Sequence, residues 1–229
     1  PSPSLSLSLS LHISYLQEAK VIARKKFVQL VLLNEGIYDL EKDLTIIHPI
    51  SIHGAGQDKT IIQGYGIQIK GEEDEEGKRV SMQDVTFKGS KGNGLSSSNG
   101  LDWLCTRTTF TECGGHGVGA RTRSAQNTKG RLINCAITQC CGSGIHCGKN
   151  ALIEMEGCQT KVNGNGWGNH PGMHGLTTTD TSARIHLLFP LTKDSVGTPA
   201  FTNNHNGRNY GSFNGLGGTI ETVASFEAL

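Results

Sequence analysis

A chain of 229 residues is long enough for one sizeable core or for a single elongated repeat domain. With 31 Gly, 6% aromatic and 35% hydrophobic residues it suits short strands and many turns and argues against a helical bundle. Lys plus Arg (21) nearly cancel Asp plus Glu (20), so no global basic field draws nucleic acid or anionic lipid, and neither is expected as a partner.

In chain order, residues 1–14 (PSPSLSLSLSLHIS) interrupt every Leu with Ser and lack a basic segment, which predicts a flexible leader or an edge strand rather than a signal peptide. From about 15 to 27 the residues Leu16, Ala19, Val21, Ile22 and Ala23 fall roughly on one side of a short basic helix. A single domain of strands then begins at about 28. VQLVLLNEGIYDL, DLTIIHPISIHGAG and TIIQGYGIQI are short β-branched runs punctuated by Gly, Pro and Asn. The charge run from Gly71 to Arg79 predicts a solvated loop, because adjacent carboxylates cannot all face one ion. No segment approaches the length of a membrane span.

Beyond that loop the sequence repeats. Phe87, Phe110 and Ile137 each precede a Gly-hydrophobic pair by the same interval: Gly94-Leu95, Gly117-Val118 and Gly144-Ile145. Gly66-Ile67 stands before them and Gly166-Trp167 after, at successive spacings of 28, 23, 27 and 22 residues. A unit this small cannot bury its own apolar face, so it must stack on its neighbours, and a parallel coil stack is the simplest arrangement that does so. Alternation then turns Ile67, Ile69, Leu95, Val118, Ala120, Ile145 and Cys147 inward. Gln68, Ser96, Gly119 and His146 turn outward. Regular coils are expected to about 180 and irregular ones over 181–229.

Seven cysteines cannot all pair within the chain. Cys113 falls level with Cys140, and Ala120 with Cys147, so the thiols read as small interior fillers. A zinc site from Cys135, Cys140, Cys141, Cys147 and His146 lacks the paired spacing such sites use, and no metal or other cofactor is expected. The free thiol, the missing signal peptide and the absence of any N-x-[ST] sequon favour a cytoplasmic setting. A truncated N-terminus would leave an extracellular one open.

The stretch from Leu16 to Gly64, with LQEAKVIA, VLLNEGIYDL, LTIIHPISIHGAG and DKTIIQG, resembles the N-terminal part of pectin-lyase-like proteins. The likeness extends through the later coils to about residue 180. It implies an all-β, right-handed parallel β-helix, or solenoid, with a short N-terminal capping helix over the open end of the stack. That group includes polysaccharide lyases, glycoside hydrolases, epimerases and non-catalytic adaptors, so the fold alone assigns no activity. Gly115-His116-Gly117 is similar to a polygalacturonase motif, but the Arg-Ile-Lys motif expected on the next coil is Ile145-His146-Cys147 here. The preceding coils, Gly64-Tyr65-Gly66 and Gly92-Asn93-Gly94, lack the acids that inverting hydrolysis needs.

The remaining candidates lie around these coils. Arg121, Arg123, Lys129 and Arg131 form a basic cluster beside His116 and His146, able to hold an acidic polysaccharide or simply to solvate a turn. His116, His146 and Arg131 are the candidates for any catalytic role. Trp167, Asn169, His170 and His174 collect where the repeat loosens. Trp167 reads either as an inward rung or as an exposed ring for a sugar, while Pro171 and Gly172 argue against a helix that would bring His170 and His174 to one metal.

Three function classes follow from these features. The first is a β-helix protein that binds carbohydrate, acidic polysaccharide in particular, on a side face without assigned catalysis. The second is an intracellular protein-interaction scaffold, and the third a polysaccharide lyase, hydrolase or epimerase with an unrecognised site. Self-association through the C-terminal end or the side of the stack is compatible with each.

Overall fold

The computed structural model describes residues 30–71, 78–98, 100–122, 127–167, 172–192, 204, 209–215 and 217–223. The expected leader over 1–14 and helix over 15–27 lie outside them. Strands β1 to β21, numbered in chain order, fall into three all-parallel sheets. Sheet A holds β1 (Leu30–Leu32), β4 (Ser51–His53), β7 (Arg79–Gln83), β10 (Asp102–Thr106), β13 (Thr128–Ile133), β16 (Ala151–Glu156), β19 (Arg184–Leu188) and β21 (Thr219–Val223). Sheet B holds β2 (Gly36–Asp39), β5 (Thr60–Gln63), β8 (Thr86–Lys88), β11 (Thr109–Thr111), β14 (Ala136–Thr138) and β17 (Lys161–Asn163). Sheet C holds β3 (Leu44–Ile46), β6 (Ile67–Lys70), β9 (Leu95–Ser98), β12 (Val118–Ala120), β15 (Ile145–Cys147), β18 (Leu176–Thr178) and β20 (Tyr210–Ser212). Each turn of the chain visits A, B and C before stacking on the last, which makes a parallel β-helix.

The core is built of aligned columns, as the alternation requires. Ile67, Leu95, Val118, Ile145 and Leu176 stack in register under sheet C. Ile62, Phe87, Phe110, Ile137 and Val162 do so under sheet B, where the Phe87 and Phe110 rings stack with centroids 5.2 Å apart. Under sheet A the buried Trp103 stands opposite Gly130, where a Cβ would lie 1.9 Å from the Trp103 ring. A large residue facing none keeps that layer filled. Cys105, Cys113, Cys135, Cys140 and Cys147 are buried rungs, whereas Cys141 and Cys158 are exposed. Burial pushes the thiols of Cys135 and Cys147 up to about 12, so they serve as apolar fillers.

The corners explain the uneven repeat. From sheet A to sheet B the middle coils turn in two residues, the first in the left-handed region: Asp84 (φ 57°), Arg107 (φ 45°) and Asn134 (φ 53°). From B to C they take six residues, while from C to A they take eight, three and seven, which generates the spacings of 28, 23 and 27.

One expectation is corrected. Gly144-Ile145 is followed in register by Gly175-Leu176, not by Gly166-Trp167. The corner from β17 to β18 lengthens to twelve residues, 164–175, and lifts Trp167 out of the column; it is 64% exposed. Sheets A and C continue beyond residue 180 through β19, β20 and β21, whereas sheet B gains no strand after β17 among the described residues.

Candidate functional site

The Gly-x-Gly triplets before sheet C have a physical cause. Asn93, His116, Ser143 and His174 occupy equivalent places on successive coils, each just before the glycine that opens a sheet C strand. The side chains of the first three each accept a hydrogen bond from the backbone N–H of the next: His116 N–H donates to Asn93 Oδ1 (2.8 Å), Ser143 N–H to His116 Nδ1 (2.9 Å) and His174 N–H to Ser143 Oγ (3.4 Å). The preceding glycines leave room for these acceptors. A Cβ on Gly115 would lie 2.4 Å from Asn93 Oδ1, and one on Gly142 would lie 2.7 Å from His116 Nδ1. Gly117 is equally constrained, since its Cβ would meet Ile137 Cγ2 at 2.3 Å. Coil stacking is therefore sufficient reason for Gly115-His116-Gly117, with no catalytic role required.

His116 nevertheless borders a groove. Its cavity of about 700 Å³ lies over the outer face of β6, β9, β12 and β15, lined by Gln68, Lys70, Asn93, Ser96, Ser98, His116, Gly119, Arg121 and His146 among others. The sheet supplies the floor: Gln68, Ser96, Gly119 and His146 share one outward row in register. Gly119 leaves a gap in that row, since its Cβ would meet nothing nearer than Asn93 Nδ2 at 3.4 Å. Asn93 Nδ2 also donates to Ser96 Oγ at 2.9 Å, which fixes the amide at the edge. The four strands make the groove roughly 14 Å long, at about 4.8 Å per strand spacing.

The imidazoles of His116 and His146 lie against each other, with centroids 4.2 Å apart and planes tilted by 30°. Burial holds His116 down to about 3, helped by the neighbouring His146 and by Arg121. Burial, then Arg121, holds His146 down to about 4. Both rings are neutral at neutral pH. The groove's charge thus comes from Lys70 and Arg121, both exposed, and neither forms an ion pair with a described residue. No carboxylate lines the cavity among the described residues.

The other candidates scatter. Arg131 and Lys129 stand on sheet A, where Arg131 pairs with Glu156 and Lys129 Nζ meets Glu154 Oε1 at 3.0 Å. The chain turns a corner between Arg121 and Thr128, so the sequence cluster divides between two faces, and Arg131 stands apart from the two histidines. Arg123, Asn169 and His170 lie outside the described residues. His174 is a buried rung whose ring fills the space a Cβ on Gly211 would need. Trp167 is exposed in its long corner, its indole N–H donating to Gly164 O. The thiols occupy separate columns or the surface, and no three His, Cys, Asp or Glu side chains among the described residues gather as metal ligands. No helix among those residues is long and apolar enough to cross a membrane. Sequence reasoning missed Lys70 and Asn93 as groove residues; the signal for Lys70 was its place directly after the outward Gln68 and inward Ile69.

The profile of a family described as "Right handed beta helix region" matches residues 39–212. No curated protein and no solved structure matches the chain.

Proposed function

The chain belongs to the right-handed beta helix family, and from that premise we propose that its sheet C groove binds an acidic saccharide, a uronate oligomer in particular. The observation that carries this reading is the pair of cations Lys70 and Arg121, ion-paired with no described residue, over a floor of neutral hydrogen-bonding groups with no carboxylate among the described lining residues. Guanidinium and ammonium groups not already neutralised recognise carboxylates strongly. Gln68, Asn93, Ser96 and Ser98 offer donors and acceptors to hydroxyls along the same track.

The reading is one of binding. Two-carboxylate hydrolysis has no acid and base among these lining residues, and a histidine held near 3 is a poor proton acceptor at neutral pH.

Calorimetric titration with galacturonate oligomers and with neutral gluco-oligomers at low salt tests the proposal. Uronates should bind, neutral oligomers should not, and the double variant Lys70→Ala/Arg121→Ala should lose about a hundredfold in affinity. Gly119→Leu, which fills the gap in the floor, should also block binding. Equal affinity for neutral oligomers, or an unaffected double variant, would overturn the proposal.

A further inference from the structure

His116 has two ring nitrogens with different fates. A backbone N–H can only donate, so the Ser143 amide at 2.9 Å requires Nδ1 to be an unprotonated acceptor. The neutral ring then carries its proton on Nε2. That nitrogen makes no hydrogen bond with a described residue, and it is not among the described polar atoms buried without a partner, so it is open to the groove. Contact with the tilted His146 ring and the fit of Nδ1 to Gly142 leave the ring little freedom to flip.

We infer that His116 is the groove's fixed specificity donor: its Nε2–H, locked in that tautomer by the Ser143 amide, recognises an acceptor oxygen of the ligand, and the position beside it admits a carboxylate or ether oxygen rather than an N–H group. This deepens the uronate reading and rests on it for the ligand, though not for the tautomer. Because the donor is neutral, its contribution persists where Arg121 and Lys70 are screened by salt. His116 thus has two separable jobs, an acceptor for the coil ladder and a donor for the groove.

The neighbouring coil shows how to separate them. Asn93 fills the equivalent rung with its Oδ1 accepting the next amide at 2.8 Å, so His116→Asn should keep the ladder bond and delete only the groove donor. The test combines nitrogen-15 NMR of the histidines in the unliganded protein at pH 7 with galacturonate-oligomer titration of wild type and His116→Asn. The expected results are the Nε2–H tautomer for His116, a midpoint of thermal unfolding in His116→Asn close to wild type, and an affinity loss of about tenfold that persists at high salt. An Nδ1–H tautomer would overturn the inference, as would a folded His116→Asn that binds like wild type. If wild type binds no uronate but His116 shows the Nε2–H signature, the ligand reading fails and the donor assignment stands.

Discussion

Sheets A and C of one coil stack present similar side chains to solvent and dispose of them differently. On sheet A acids stand beside two of the cations, Arg131 meeting Glu156 and Lys129 meeting Glu154, while Arg79 and Arg184 on other coils form no ion pair with a described residue. On sheet C, Lys70 and Arg121 stand over a floor that holds no acid. A cation met by a neighbouring acid has little left for a ligand, whereas cations beside a floor without acid and with a missing side chain retain both attraction and room. What separates the two faces is where the acids stand: Asp102, Glu154, Glu156 and Glu221 lie on strands of sheet A, and no described strand of sheet C carries one.

The glycines give the sharpest contrast and the largest expected effect. Gly130→Ala, under sheet A, drives a Cβ to 1.9 Å from the Trp103 ring and should cost about 3 kcal/mol. Gly119→Ala, on sheet C, meets nothing closer than 3.4 Å and should cost less than about 1 kcal/mol. Denaturant unfolding of both variants measures this, and equal stabilities would break the account of the Trp103 layer.

Next is acid sensitivity, which the sheet C histidines should confer. Folding lowers His116 to about 3 and His146 to about 4. An unfolded histidine titrates near 6.5, so between about 6.5 and about 4 the unfolded chain binds more protons than the native one. Stability is therefore lost as pH falls through that window, by about 2 kcal/mol per histidine between pH 7 and pH 5. Denaturation midpoints at the two pH values check the effect, and His116→Asn should flatten the slope.

Smaller still, Arg121→Ala should weaken uronate binding about tenfold, an effect that shrinks with added salt in titration calorimetry. Arg131→Gln, which breaks only a partly exposed pair on sheet A, should change stability by less than about 1 kcal/mol and leave uronate affinity unchanged. If Arg131→Gln weakened binding as much as Arg121→Ala, the division between the faces would be wrong.

Much of the fold was legible because one rule, alternation, governs every short strand. Leu95, Val118 and Ile145 lie one above the next, as their shared place after glycine implies. Gln68, Ser96, Gly119 and His146 face outward in one row for the same reason. Legibility failed at corners. Arg121 opens a seven-residue corner, 121–127, and Arg131 stands on the strand beyond it, and no local pattern says where a chain changes faces. Trp167 was misplaced because the twelve-residue corner at 164–175 contains its own Gly-hydrophobic pair, an imitation of the repeat outside the column. The neutrality of the two histidines was not readable, since it comes from burial and from ring-to-ring contact across coils.

The irregular corner from sheet C to sheet A has a consequence for how such a groove changes. Lys70 ends β6 just where the eight-residue corner departs, and Arg121 is the first residue of the seven-residue one. Arg121 therefore belongs to a segment whose length already differs from coil to coil and Lys70 borders one, while the column beneath them does not change. The charge above the floor is in effect a portable cassette: exchanging the corner that holds Arg121 and substituting Lys70 would rewrite it without disturbing the hydrophobic spine.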